Sequence, residues 1–167
     1  MNPLYRNDKP GTYPQSWYAA TADLGPERPS LAGDIRTDVV VIGAGYTGLS
    51  TALHAAQKGL SVVVVEAHRV GFGASGRNGG QVGTGWNKNQ MWLAKRLGSD
   101  TARQLWDLTV EAKSLTRSLA ADHAPEANYR PGVFQGEWSQ SGAKDAQTYG
   151  NWLQDTYNYE TEYLDRD

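Results

Sequence analysis

Two unbroken runs of β-branched residues, Val39-Val40-Val41-Ile42 and Val62-Val63-Val64-Val65, stand out in a chain whose other apolar residues are spaced three and four apart or scattered. Continuous rather than alternating apolar runs predict strands buried on both faces of a parallel sheet. Between them, Tyr46 to Lys58 carries Leu49, Ala52, Leu53 and Ala56 at helical spacing, with Gly59 as a C-terminal stop. Strand, helix and strand fill about thirty residues, the size of one βαβ unit with an expected right-handed crossover. A loop from Ala67 to Gly85 follows and contains seven glycines. Helices are expected near Lys88–Leu97 and over Asp100–Asp122, where Leu105, Leu108, Ala112, Leu115 and Leu119 form one apolar stripe. Pro125 ends that region. Tyr129–Trp138 reads as a strand with a turn at Pro131-Gly132, Ala143–Tyr157 as a helix, and Glu160–Leu164 as the start of another strand. Upstream, residues 1–36 hold five of the seven prolines and show no apolar period. They read as an extended arm, with Ser16-Trp17-Tyr18-Ala19-Ala20 as a short anchor packed on the body.

Composition narrows the picture. The chain has 167 residues, 39% of hydrophobic type, and its 19 glycines bring the apolar share to about half, the globular norm. Sixteen basic against eighteen acidic residues give a net charge of −2, with no basic excess to attract nucleic acid. Without cysteine there is no disulfide, no thiolate nucleophile and no Cys-based metal site. The longest aliphatic runs fall far short of the ~20 residues that span a bilayer. The first ten residues contain no apolar core of a secretory signal. A cytoplasmic location is the expectation.

The first strand runs into Gly43-Ala44-Gly45-Tyr46-Thr47-Gly48, a G-x-G-x-x-G sequence that opens the first long helix. In that context Gly43 permits a tight turn, Gly45 lets a pyrophosphate approach the backbone, and Gly48 lets helix and strand pack closely. The amides from Ala44 to Thr47 then lie at the positive end of the helix dipole. Glu66, 18 residues after Gly48, closes the second strand. A carboxylate there can accept ribose hydroxyls and repels a 2′-phosphate, which disfavours NADP. This reading requires Glu66 to face the strand–helix junction. It leaves FAD and NAD open. The next segment, Gly71-Phe72-Gly73-Ala74-Ser75-Gly76-Arg77-Asn78-Gly79-Gly80-Gln81, exposes many amides and could wrap a large anion.

Gly43–Gly48, Glu66 and above all Gly73-Ala74-Ser75-Gly76-Arg77-Asn78-Gly79-Gly80-Gln81 resemble the D-amino-acid-oxidase-type FAD-dependent oxidoreductases. The likeness runs from about Tyr13 to Asp165 and includes the proline-rich arm with its Ser-Trp-Tyr-Ala-Ala motif. It implies FAD rather than NAD, with the pyrophosphate on Gly43–Gly48 and the adenosine ribose on Glu66, beside Ala67. Ser75, Arg77, Asn78, Gly79, Gly80 and Gln81 would run past the pyrophosphate towards the flavin. No cysteine occurs, and no histidine lies between Gly71 and Gly85, so binding is expected to be non-covalent.

The resemblance further implies oxidation of a γ-glutamylputrescine-like amine, with hydride passing to the flavin and an imine, then an aldehyde, as product. Oxygen or another electron acceptor would take the electrons, in the first case giving hydrogen peroxide. D-Amino-acid dehydrogenases and glycine or sarcosine oxidases remain alternatives, as does a non-catalytic nucleotide-binding remnant. No catalytic acid or base is nominated, since the cofactor carries the difficult step. His54, His68 and His123 are too scattered for a metal site, so none is expected. His68 reads as loop or adenine-adjacent. Trp86, Trp92, Trp106, Trp138 and Trp152 could form a cage for a cationic substrate, although core packing is the plainer reading. The resulting fold class is α/β: an arm (1–36), a Rossmann-type FAD-binding βαβ portion with helices (37–125) and the beginning of an α+β substrate domain (126–167). Because family members are considerably longer, the fold is expected to be incomplete, a truncated N-terminal portion or one completed by a complementing chain, with sheet edges left exposed.

Overall fold

A computed structural model describes residue 6 and residues 8–165. The first five residues and Asn7 of the expected arm, and the last two residues of the expected third segment, lie outside the described residues. The chain forms two compact units, one ending at Gly80 and the other starting at Gln81.

In the first unit, β1 (Val39–Ile42) and β2 (Val62–Val65) pair in parallel, in register from Val39 opposite Val62 to Ile42 opposite Val65. The ladder continues beyond β1, where Gly43 N donates to Val65 O at 2.7 Å. Helix α2 (Tyr46–Gln57) crosses between the strands and packs on both. Both strands fall on the two valine-rich runs, but the expectation that they are buried on both faces needs correction: β2 is half-buried throughout, and β1 is open on one face. Val41 is buried, whereas Val40 is 55% and Ile42 87% exposed. Successive side chains of a strand point to opposite faces; α2 covers the face of Val41, and the face of Val40 and Ile42 stays open to solvent.

Ahead of β1, Ser16 caps the five-residue helix α1 (Trp17–Thr21) by accepting from Ala19 N at 3.2 Å. The anchor expected there is not packed, since Trp17 is 77% exposed. One and a half turns are too short to hold an apolar face against a body. After β2 the chain turns through a single 3₁₀ turn at Ala74–Gly76.

The second unit is helical. It contains α3 (Gln90–Leu97), α4 (Ser99–His123) and α5 (Gln140–Tyr157), with a 3₁₀ turn at Pro125–Ala127. Asn89 and Ser139 cap α3 and α5 with their side chains, the residue types favoured at that position. Trp106, Leu153 and Tyr157 form its core, with Tyr149, Trp152 and Tyr159 packed against them. The buried Gln90 side chain joins the helices: its Nε2 donates to Ala102 O at 2.7 Å and to the Tyr157 hydroxyl at 3.1 Å. Its backbone N–H donates to the Tyr149 hydroxyl at 2.9 Å, and burial pushes that phenol above its ordinary pKa, keeping it neutral.

The strands expected at Tyr129–Trp138 and from Glu160 are irregular chain instead. A strand exists only by pairing its backbone with a neighbour, and among the described residues the sole ladder joins β1 to β2. Val133, Phe134 and Trp138 are accordingly exposed. No described helix is long and apolar enough to cross a membrane.

Candidate functional site

The glycine turn is built by close approach. Gly43 sits at φ +102°, a conformation that favours glycine. A Cβ on Gly48 would stand 2.0 Å from Gly43 O and 3.3 Å from Val41 Cγ1, so only glycine lets the first turn of α2 lie against the end of β1. Gly45 is the N-cap of α2 and offers no side-chain acceptor of its own. That role falls to Ser75, whose Oγ accepts from Tyr46 N at 3.0 Å across 29 residues of sequence. A Cβ on Gly45 would come within 2.9 Å of that hydroxyl.

Glu66 faces the junction, but its carboxylate and the Ser75 hydroxyl occupy two of the amides, Ala44 and Tyr46, that the sequence reading leaves for a phosphate. Its Oε2 accepts from Ala44 N at 2.7 Å and its Oε1 from His68 N at 3.0 Å. Both carboxylate oxygens are thus oriented by backbone donors. Since an ionised carboxylate offers about four lone-pair sites, each oxygen keeps capacity for a hydroxyl. Ala44 is buried, its N–H on Glu66 and its carbonyl accepting from Gly71 N at 2.8 Å. The acid, the glycine turn and the following loop therefore meet at one residue. Among the described residues no hydrogen-bond acceptor is paired with the N–H groups of Gly45, Thr47 and Gly48. Three donors at the positive end of α2 are thus without a partner.

The loop after β2 folds back on itself. A Cβ on Gly76 would lie 2.3 Å from Gly71 O. Arg77 Nε donates to Phe72 O at 2.8 Å, and its Nη1 meets Asp8 Oδ1 at 3.1 Å. Asn78 Nδ2 donates to Ala74 O and Ser75 O, both at 3.0 Å, and its Oδ1 accepts from Gly80 N at 2.8 Å. Gly80 has φ +72°. The structure thus brings Gly43 to Gly48, Glu66 and Ser75 together. It turns Arg77 and Asn78 inward on their own loop, leaves Ala67 and Gly79 exposed, and puts Gln81 at the exposed start of the second unit.

Sequence reasoning missed three residues here. Phe72 is buried, with His68 stacked on it at 4.0 Å between ring centroids and 2° between planes, and with the Arg77 guanidinium 4.7 Å from its ring. His68 is therefore part of this stack. Tyr13 and Asp8 reach the loop from the arm. The available signal was the one aromatic ring in a glycine-rich loop, which must find a partner to be buried. The tryptophans make no cage: Trp106 and Trp152 belong to the aromatic core of the second unit, whereas Trp86, Trp92 and Trp138 are exposed. Among the described residues no group of three His, Asp or Glu could hold a metal ion.

The pattern of the DAO family, described as FAD dependent oxidoreductase, matches residues 38–167. The chain is 44% identical over 117 residues to the gamma-glutamylputrescine oxidoreductase of Escherichia coli strain K12, covering 70% of this chain and 28% of that protein. It is 35% identical over 156 residues to the probable oxidoreductase OrdL of Rhizobium meliloti, covering 91% of this chain and 36% of the relative. A probable oxidoreductase OrdL of Haemophilus influenzae is 36% identical over 118 residues, 71% of this chain and 27% of the relative. The chain thus spans about a third or less of the length of these relatives. No solved structure matches.

Proposed function

This chain belongs to the DAO family of FAD-dependent oxidoreductases, and from that premise we propose that its βαβ unit opens a Rossmann-type fold in which Gly43, Ala44, Gly45, Tyr46, Thr47, Gly48, Glu66, Ala67, Ser75, Arg77, Asn78, Gly79, Gly80 and Gln81 hold FAD without a covalent bond. The observation that carries this is the 2.7 Å bond from Ala44 N to Glu66 Oε2, which joins the glycine turn to the acid of the second strand. The residues present fit the group. The amides of Gly45 and Thr47 offer donors at the helix start, and Gly45 has no Cβ to obstruct an approaching phosphate. The Ser75 hydroxyl already sits on the Tyr46 amide and could donate to a phosphate oxygen from there. Glu66, oriented through both oxygens, accepts ribose hydroxyls with its remaining lone pairs. Arg77 is held by Asp8 and Phe72 O, so it braces the loop rather than acting as a free cation.

When bound, FAD supplies a two-electron acceptor for oxidation of a γ-glutamylputrescine-like amine, whose imine hydrolyses to an aldehyde while oxygen or another acceptor takes the electrons, giving hydrogen peroxide with oxygen. The substrate class rests on the likeness to the Escherichia coli protein. We assign no catalytic acid or base to this chain. Hydride leaves a neutral amine more readily than an ammonium ion, so activity is expected to rise with pH.

The test is reconstitution of the protein in its full reading frame. Flavin absorption should stay with the protein through gel filtration, bleach anaerobically on adding γ-glutamylputrescine, and yield peroxide in air. Denaturation should release the flavin. Glu66→Ala should weaken FAD binding about tenfold, the effect of losing a charged hydrogen-bond acceptor. A full-length protein that stays colourless with excess FAD ends this reading.

A further inference from the structure

The arm is fastened to the cofactor loop at several points, and each lies more than fifty residues from its partner in sequence. Asp8 Oδ1 lies 3.1 Å from Arg77 Nη1. Gly11 N donates to His68 Nδ1 at 3.2 Å, and the Tyr13 hydroxyl donates to Val70 O at 2.6 Å. The Tyr13 ring lies 6.1 Å from that of Phe72, between centroids. All of these contacts converge on Phe72, since His68 and Arg77 are themselves in contact with its ring. Three residues further along, the same loop delivers Ser75 to the first amide of α2.

We propose that residues 8–13 form a strap in which Asp8 and Tyr13 are positioning residues for the cofactor loop, holding it against the start of α2 in the arrangement a nucleotide diphosphate requires. The inference rests on the cofactor reading above and adds the residues that shape the loop. A glycine-rich loop loses much conformational freedom when it is ordered around a ligand. Ordering it in advance removes that cost from binding. By reciprocity, a bound diphosphate must stabilise the strap to the same extent that the strap favours binding.

The test titrates the full-length protein with FAD and, separately, with ADP, which carries the adenosine and diphosphate without the flavin. Asp8→Ala should weaken both roughly threefold, as for a partly exposed ion pair, and Tyr13→Phe roughly fivefold, as for one hydrogen bond. The double variant should lose about tenfold or more if the two contacts act on one loop. Asp8→Glu should recover affinity to within about twofold, as expected where the charge rather than mere bulk matters. ADP should also slow hydrogen exchange at the Gly11 amide in the wild type and lose that effect in the double variant, a linkage that a purely structural arm would not show. Circular dichroism establishes that the variants fold, and Asp8→Asn serves as a milder substitution if Asp8→Ala does not. Wild-type binding matched by the double variant overturns the strap alone. A wild-type protein that binds neither FAD nor ADP overturns the cofactor reading and the positioning role with it.

Discussion

The two units hold their shapes by opposite means. In the first, the decisive positions are those without side chains: Gly48 lets α2 lie against β1, and Gly76 lets the loop fold onto Gly71. Polar groups then fasten what the glycines bring close, through Ala44 with Glu66, Tyr46 with Ser75, and Ser61 with Asp38. In the second unit the decisive positions are large. Trp106 lies 4.8 Å from Tyr157 and 5.1 Å from Tyr159 between ring centroids, the latter edge-on. Arg103 lies over Tyr157 and donates to Thr156 O, and Lys113 lies over Tyr159. One unit is built on close backbone approach; the other fills its interior. A site for a large anionic cofactor belongs to the first kind of construction, because exposed amides are useful only where no side chain stands before them.

The comparison can be broken from either side. The largest effect should come from volume removed in the second unit: Trp106→Ala is expected to cost about 3–5 kcal/mol, as for a large aromatic lost from a packed core. Denaturant unfolding measures it, and hydrogen exchange should show the loosening concentrated between Gln90 and Tyr157. A cost below that of a surface substitution would mean that the aromatic cluster is not the core. Next in size, volume added in the first unit should be almost as damaging: Gly48→Val is expected to cost about 2–3 kcal/mol by overpacking. It should also abolish measurable FAD binding, read by flavin fluorescence, because the helix can no longer reach the strand end. Retained binding would show that close approach at Gly48 is not what forms the turn.

The smallest effect sharpens the polar half of the comparison. Asp38 accepts from Ser61 Oγ at 2.6 Å and Ser61 N at 2.9 Å, and these bonds hold its carboxyl below the ordinary carboxylate range. A pKa lowered by folding means that the ionised form stabilises the native state above the unfolded value, and that this contribution disappears as pH falls through the folded one. Protection of the Ser61 amide, measured against its intrinsic exchange rate at each pH, should therefore fall below about pH 4, and Asp38→Asn should flatten that dependence. An unchanged profile would show that these bonds add nothing to the join between the strands.

The parts legible in sequence were those governed by neighbours along the chain. The valine runs marked both strands, helical spacing marked α2 to within a residue, and the long stripe of leucines marked α4, expected over Asp100–Asp122 and found at Ser99–His123. Strand, glycines, helix and acid in that order also marked the junction where Glu66 meets Ala44. The segment at Tyr129–Trp138 misled because β-propensity describes fitness for a sheet, not the presence of a neighbouring strand. Val40 and Ile42 misled in a related way, since an apolar run does not say which of its faces a helix will cover.

By itself the sequence determined the βαβ unit and the glycine turn, because backbone geometry and steric limits act over a few residues. Only the tertiary structure decided that Ser75 caps a helix 29 residues away, that Phe72 stacks between His68 and Arg77, and that Asp8 reaches across the chain to the same loop. Those pairings depend on which surfaces come together after the chain has closed long loops, and no local propensity specifies the partner.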